Sequence, residues 1–256
     1  MTAGLPEPAC RWLTHAIVPG TPLARAVIVE MEGHIRLGRW LPFWAVQLHA
    51  PPDGYVWAAR ARLGPLRISG FDRFADGTGE MRWRLLGHIP VVNATGPDLD
   101  RSAAGRVALD AMLVPTAFLS PLVSWSDGPR PNSATAEWTV GARTLQTELR
   151  VGPDGELRSV VMPRWGNPHG HPWGEYPCGG ILTGEAGFGG IKLPTQMRAG
   201  WFFDTDHWAE GEFFRAQITK VTFSLTRRGS PERGGLSDLR AQGCTAVPAD
   251  ANTGKC

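Results

Sequence analysis

The sequence predicts a mainly β protein in which a curved antiparallel sheet, one central helix and a short N-terminal helix surround an apolar cavity. Three observations lead there. Much of the chain alternates apolar and polar residues with period two, the pattern of strands with one dry and one wet face. An Asp76-Gly77 dipeptide separates two such runs, and it suits a two-residue type I′ hairpin because both central residues need positive φ. The 256 residues also include 11 Trp but only 2 Tyr. Trp carries a large apolar surface and one N–H donor, so the surplus points to a large aromatic interior or a wide ligand cavity.

Taken in order, Pro6 and Pro8 introduce a helical pattern over residues 9–17. Val27, Val29 and Met31 then alternate with Glu30 and Glu32. The same alternation returns at Tyr55, Trp57, Ala59 and Ala61 against Arg60 and Arg62, and at Met81, Trp83 and Leu85 against Glu80, Arg82 and Arg84. Such a series reads as a meander with one dry face. The Asp76-Gly77 turn sets the register, so Ala75 faces Thr78, Phe74 faces Gly79, Arg73 faces Glu80 and Asp72 faces Met81. Arg73 and Glu80 should then pair across the polar face, while Asp72 falls among Phe74, Met81 and Trp83 on the apolar one.

Gly96-Pro97-Asp98 opens a helix over residues 99–113, ahead of Pro115. Asp98 or Asp100 should cap it, with Ala103, Val107 and Ala111 toward the sheet and Arg101 and Arg106 partly away. Strands resume over 136–140, 144–151 and 157–162, the last two joined by Pro153-Asp154-Gly155. Residues 163–180 read as a long irregular segment and 184–190 as a turn. The final strands fall near 192–203 and 212–225, with Asp204-Thr205-Asp206 turning between them. Residues 1–226 form one domain, and 227–256, rich in Gly, Pro, Ser and Ala, read as a flexible polar tail.

Composition excludes several classes. A hydrophobic share of 42% and a charged share of 20% are ordinary for a globular domain. The formal charge of +2 comes entirely from the tail, where Arg227, Arg228, Arg233, Arg240 and Lys255 outnumber Glu232, Asp238 and Asp250. A neutral body lacks the basic footprint of a nucleic-acid binder. Cys10, Cys178, Cys244 and Cys256 show no C-x-x-C pair and no regular spacing, so neither a zinc site nor a disulfide framework is expected. No apolar run has the length of a membrane span, and MTAGLPEPACRW lacks a basic region followed by an apolar one, so the expected compartment is the cytoplasm. Oligomeric state is left open.

Candidate chemistry begins with Asp72. A carboxylate on an apolar face has its pKa raised by desolvation and can serve as a general acid or base; the plainer alternative is an inward Asp satisfied by backbone amides or by an Arg. Arg164, Trp165, His169, His171 and Trp173 crowd a loop suited to a cavity mouth. In an extended stretch His169 and His171 point the same way, as a catalytic or ligand-contacting pair or as a solvated loop. A metal needs a third ligand that no spacing supplies, so none is expected. Trp201 and Arg164 suit a ligand wall alongside Trp83, Met81 and Phe74. Glu212 and Arg215 differ in parity and belong on opposite faces of a regular strand. The Gly-rich GEAGFGG lacks the Lys-Ser/Thr of a phosphate loop and there is no G-x-S-x-G elbow, so no cofactor is expected.

The succession GFDRF, GEMRWRLLG, GPDLDRSAAGR, a Pro-terminated helix, PRWGNP, GFGGIKLPT and AGWFFDTDHWAEGEFFR resembles DUF6544, a bacterial family of uncharacterised function, over residues 6–223. That resemblance brings no activity with it. The element order of strands, one central helix and more strands is similar to the half-barrel of periplasmic lipoprotein carriers of the LolA and LolB type, although the chain shows neither their signal peptide nor a lipobox. That likeness implies a curved sheet wrapped round a lipophilic cavity and closed by helices.

Two functional readings follow. One is a cofactor-independent cyclase, isomerase or hydrolase of specialised metabolism, acting on a small lipophilic molecule with Asp72 and a loop His as acid and base. The other is a binding or carrier protein of the same shape, with no turnover.

Overall fold

The computed structural model describes residues 4–225; the expected tail at 227–256 lies outside the described residues. Helix α1 (Glu7–Ala16) is followed by β1 (Ala24–Leu37), β2 (Arg39–Ala50), β3 (Gly54–Leu63), β4 (Leu66–Ala75), β5 (Thr78–Leu85) and β6 (Ile89–Ala94). Helix α2 (Pro97–Asp110) comes next, continued by two 3-10 turns, Ala111–Leu113 and Pro115–Leu119. The second half holds β7 (Ser124–Asp127), β8 (Ser133–Val140), β9 (Arg143–Val151), β10 (Leu157–Gly166), β11 (Gly174–Phe188) and β12 (Ile191–Trp201). A short helix, α3 (Trp208–Gly211), leads into β13 (Glu212–Leu225).

Among the described residues, the 13 strands form one open antiparallel sheet, ordered β6-β5-β4-β3-β2-β1-β13-β12-β11-β10-β9-β8-β7. Each half is a meander of neighbouring strands, and the pairing of β1 with β13 welds the halves together. Curvature follows from what α2 touches. It packs on β5 near one edge and on β10 near the other, with seven strands of the sheet order between them. Only a sheet rolled round the helix reaches it from both sides.

Burial of α2 follows from that roll. Ser102, Ala103, Ala104, Gly105, Val107, Ala108 and Leu109 are all buried, so the helix is covered on nearly every side and not on one sheet-facing side as expected. Small residues permit it. A Cβ on Gly79 would lie 2.8 Å from the Leu99 carbonyl oxygen and 2.9 Å from the Ala103 Cβ, so helix and strand backbones are in contact. Neither Asp98 nor Asp100 caps the helix; Gly96 stands at the N-cap without a side-chain bond. The two acids tether α2 to its neighbours instead, Asp100 accepting from the Gly79 N–H at 2.7 Å and Asp98 from Trp165 Nε1 at 2.9 Å.

The expected hairpin is present in its expected register, with Asp72 opposite Met81 and Arg73 opposite Glu80. Asp76 and Gly77 take φ of 52° and 77°, and Arg73 Nε reaches Glu80 at 2.6 Å. Other stretches differ. Strand β2 carries an inward row of Leu41, Phe43, Ala45, Gln47 and His49 that ends in two polar residues, which blurs its dry face. Residues 163–180 are mostly regular, because β10 and β11 pair from Ser159 opposite Ile181 to Gly166 opposite Gly174. Pro163 and Pro177 fall opposite one another, so two residues that read as breakers share one position of the ladder. Strand β11 likewise continues through Gly184 to Phe188, and the turn is Gly189-Gly190, with φ of 58° and 90°.

The interior is solid at one end and hollow at the other. Under α1, Phe118 meets Trp12, Trp138 and Trp125 at centroid distances of 4.9, 4.7 and 5.7 Å, a packed aromatic cluster. Near the seam, a bulge between β12 and β13 leaves Phe213 without an opposite partner and reverses the expected parity. Glu212 and Arg215 therefore meet, and Glu212 receives Nε of Arg198 at 2.6 Å and of Arg215 at 2.9 Å. These hydrogen bonds, from Arg198 first and then Arg215, lower its pKa to about 2. The arginines are half exposed, so Glu212→Gln should cost only about 1 kcal/mol in a urea titration, and less in 1 M salt.

Candidate functional site

Between α2 and the inner sheet face lies a cavity of about 920 Å³. Its walls carry Met31, Ile68, Leu182, Met197, Phe213 and Phe214, with the indoles of Trp57, Trp83, Trp173 and Trp201 among them. Four of the 11 tryptophans are thus spent on it. Leu37, Val91 and Trp173 also line it while being 47%, 54% and 40% exposed, so they form an apolar rim open to solvent.

Arg106 gathers the polar groups at one wall. Asp110 lies one helical turn on, with its Oδ2 3.1 Å from Arg106 Nε, the spacing at which helix side chains meet. Nη1 is 3.4 Å from Asp72 Oδ2, and Nη2 is 3.4 Å from Gln47 Oε1. Gln47 in turn donates to Asp110 at 2.8 Å. The guanidinium lies over the rings of Tyr55 and Trp57, at 4.7 and 5.2 Å, a cation–π arrangement. Asp72 also accepts from Trp83 Nε1 at 2.9 Å. Gly70 makes room for this, since a Cβ there would lie 2.7 Å from the Trp83 ring.

Burial pushes the Asp72 carboxyl up, against the opposing pull of Arg106, the Trp83 hydrogen bond and Arg164. Burial also acts to raise Asp110, but Arg106, His49 and the bonds from Gln47 and Arg106 outweigh it and hold this carboxyl below its usual range. His49 is fully buried, its ring facing the Val107 backbone. Desolvation takes its pKa down from 6.5 to about 4, with Asp110 and then the Val107 backbone opposing and Arg106 assisting, so the imidazole is neutral near pH 7.

Farther along the wall, Arg164 Nε donates to the Ser102 carbonyl at 3.0 Å and Nη2 reaches Ser102 Oγ at 3.3 Å. Its guanidinium lies 5.1 Å from the Trp201 ring centre. Burial raises the neighbouring Cys178 thiol, Arg164 opposing, which disfavours the thiolate a nucleophile needs.

Of the residues singled out from sequence, Asp72, Met81, Trp83, Arg164, Trp173 and Trp201 line the cavity together. Phe74 is buried in the core but not in the wall. Trp165 lies outside, bonded to Asp98 and stacked under Arg101 at 3.8 Å. His169 and His171 are exposed and absent from the wall. His169 has φ of 52°, which breaks the extended stretch, and both rings pack on Phe202 at 6.3 and 5.6 Å. No loop His therefore stands beside Asp72. Sequence reasoning missed Arg106, which faces inward, and with it Asp110, Gln47 and His49. The i, i+4 spacing of Arg106 and Asp110 and the parity of Gln47 and His49 with Phe43 and Ala45 were the available signals.

Among the described residues, no three of His, Cys, Asp or Glu form a metal-binding group, and no helix is long and apolar enough to cross a membrane. No curated protein matches the sequence. Among solved structures, a domain from Vibrio parahaemolyticus, provisionally described as an outer membrane lipoprotein-sorting protein, is 8% identical with a TM-score of 0.42, over 86% of this chain and 91% of that one. A LolA superfamily protein from Nitrosomonas europaea is 9% identical with a TM-score of 0.44, over 86% and 92%. Scores this low carry no functional argument. The profile of DUF6544, a family of unknown function, matches residues 1–213, a span that holds every wall residue named above except Phe214, and the chain belongs to that family.

Proposed function

We propose that this protein binds a small lipophilic molecule in the tryptophan-lined cavity and acts as a binding or carrier protein. The observation that supports this reading is the cavity itself. Its volume of about 920 Å³ sits near the top of the roughly 300–1,000 Å³ usual for small-molecule sites. Its wall is mainly apolar, and Leu37, Val91 and Trp173 continue that character out to solvent beside the polar Arg36, Thr95 and Asn167, so a lipophile finds an apolar surface to enter along. Each 100 Å² of apolar ligand surface buried contributes roughly 2.5 kcal/mol before the cost of immobilisation.

Conversion of the ligand by cofactor-independent acid/base chemistry is the second reading. It has in its favour Asp72, a cavity carboxyl with raised proton affinity. Against it, both Asp72 oxygens are engaged, by Trp83 and Arg106, and His169 and His171 stand outside. Binding is therefore ranked first.

Organic extraction and mass spectrometry of the purified protein should yield a lipophile at near-stoichiometric amounts. Ala199→Trp, which fills a wall position, should remove it and abolish binding of the neutral dye N-phenyl-1-naphthylamine, with the circular dichroism unchanged. A chain that neither retains a lipophile nor binds the dye overturns the reading. Turnover of the extracted molecule, lost in Asp72→Asn, would establish the second reading instead.

A further inference from the structure

We infer that the ligand carries one anionic oxygen head group, a carboxylate or a phosphate ester, and that this head sits on Arg164; the inference rests on the binding reading above. Charge pairing within the wall supports it. Asp72 and Asp110 are both bonded to Arg106. Asp72 feels Arg164 through space, but its own oxygens are bonded to Trp83 and Arg106.

The partners of Arg164 are all neutral: the Ser102 carbonyl, the Ser102 hydroxyl, the Cys178 sulfur at 3.9 Å and the Trp201 ring. The thiol is no hidden counter-ion, since burial keeps it protonated. A guanidinium has five N–H donors in a planar fork. Three are engaged here, one of them only by the distant sulfur, which leaves two for a ligand.

The fork is also held in place. A Cβ on Gly105 would lie 3.0 Å from the Arg164 Cγ, so the stem of the side chain lies against the backbone of α2, with Trp201 on the guanidinium. Ser102 and Asn167 line the same wall and add neutral donors. Arg164 is half-buried with two N–H donors unspent, and a carboxylate or phosphate meets a guanidinium through paired, charge-assisted hydrogen bonds. Of the other arginines lining the cavity, Arg106 is paired with Asp72 and Asp110 and Arg36 is turned to the Ala209 and Glu210 carbonyls, so apolar walls around the oriented Arg164 describe a site for an amphiphile, tail in the cavity and head on that guanidinium.

The test uses the full chain stripped of bound lipid and three probes sharing one fluorescent polyene chain: the carboxylic acid, its methyl ester and the phosphate monoester of the matching alcohol. Fluorescence titration should show the acid or the phosphate binding at least tenfold tighter than the ester, and the tighter of the two identifies the head group. Arg164→Met should remove this preference while the ester still binds, and Arg164→Lys should keep part of it. Ester binding by the variant reports that its cavity is intact, and the wild-type ratio of acid to ester stands without any variant. Equal binding of acid and ester, or a preference that survives Arg164→Met, or an equal loss for all probes in that variant, overturns the head-group inference alone. Binding of none of the three overturns the cavity reading and this inference with it.

Discussion

Arg106→Met is expected to destabilise the protein by about 3–5 kcal/mol, the range for removing one partner of a buried ion pair. The substitution keeps much of the side-chain volume on α2 but leaves Asp72 and Asp110 facing each other across the vacated guanidinium position, with only Trp83 and Gln47 still bonded to them. The loss is one of charge compensation more than packing. Urea midpoints should therefore fall sharply for Arg106→Met and recover in part when Asp72→Asn and Asp110→Asn are added, because neutral amides carry no uncompensated charge. If the triple variant is no more stable than the single one, the destabilisation comes from the lost contacts with Tyr55 and Trp57 and the electrostatic account fails.

Acidification from pH 7 to pH 4 should cost about 3 kcal/mol of stability through His49 alone. Its folded pKa is about 4 against an ordinary 6.5, so between these values the unfolded chain takes up a proton that the folded chain refuses. Stability then falls as pH falls through this window and levels off below it, and the gap sets the size. Asp110, whose folded pKa is depressed, adds a further loss at lower pH, below the ordinary carboxylate range. Asp72 works in the opposite sense: its folded pKa is raised, so its contribution is present in acid and is lost as pH rises through the folded value. Urea titrations at pH 7, 5.5 and 4.5 should show this slope in the wild type and a much flatter one in His49→Leu. Equal slopes in the two proteins would place the acid sensitivity elsewhere.

Several features were legible in the sequence because they depend on near neighbours along the chain. The Asp76-Gly77 turn needs only two residues able to take positive φ, and once it forms, period two carries Asp72 opposite Met81 and onto the face of Trp83. The start of α2 was equally local, with Pro97 in its first turn. The surplus of Trp pointed to an aromatic interior, part packed and part hollow.

What the tertiary structure alone decided is which groups meet inside. Arg106 looked half solvent-facing because a helix on a flat sheet has a wet side; here the roll of the sheet supplies a second wall, and Asp72, 34 positions back, becomes its partner. Single backbone choices misled as well. The positive φ of His169 turned the loop histidines away from the cavity, and one bulged residue brought Glu212 to Arg215. Side-chain alternation and turn conformation are set by steric preferences a few residues long. Joining of the two meanders into one sheet depends on β1 meeting β13, nearly 200 positions apart by the pairing of Val27 with Phe223, and a local pattern carries no record of that contact or of the charges it brings together.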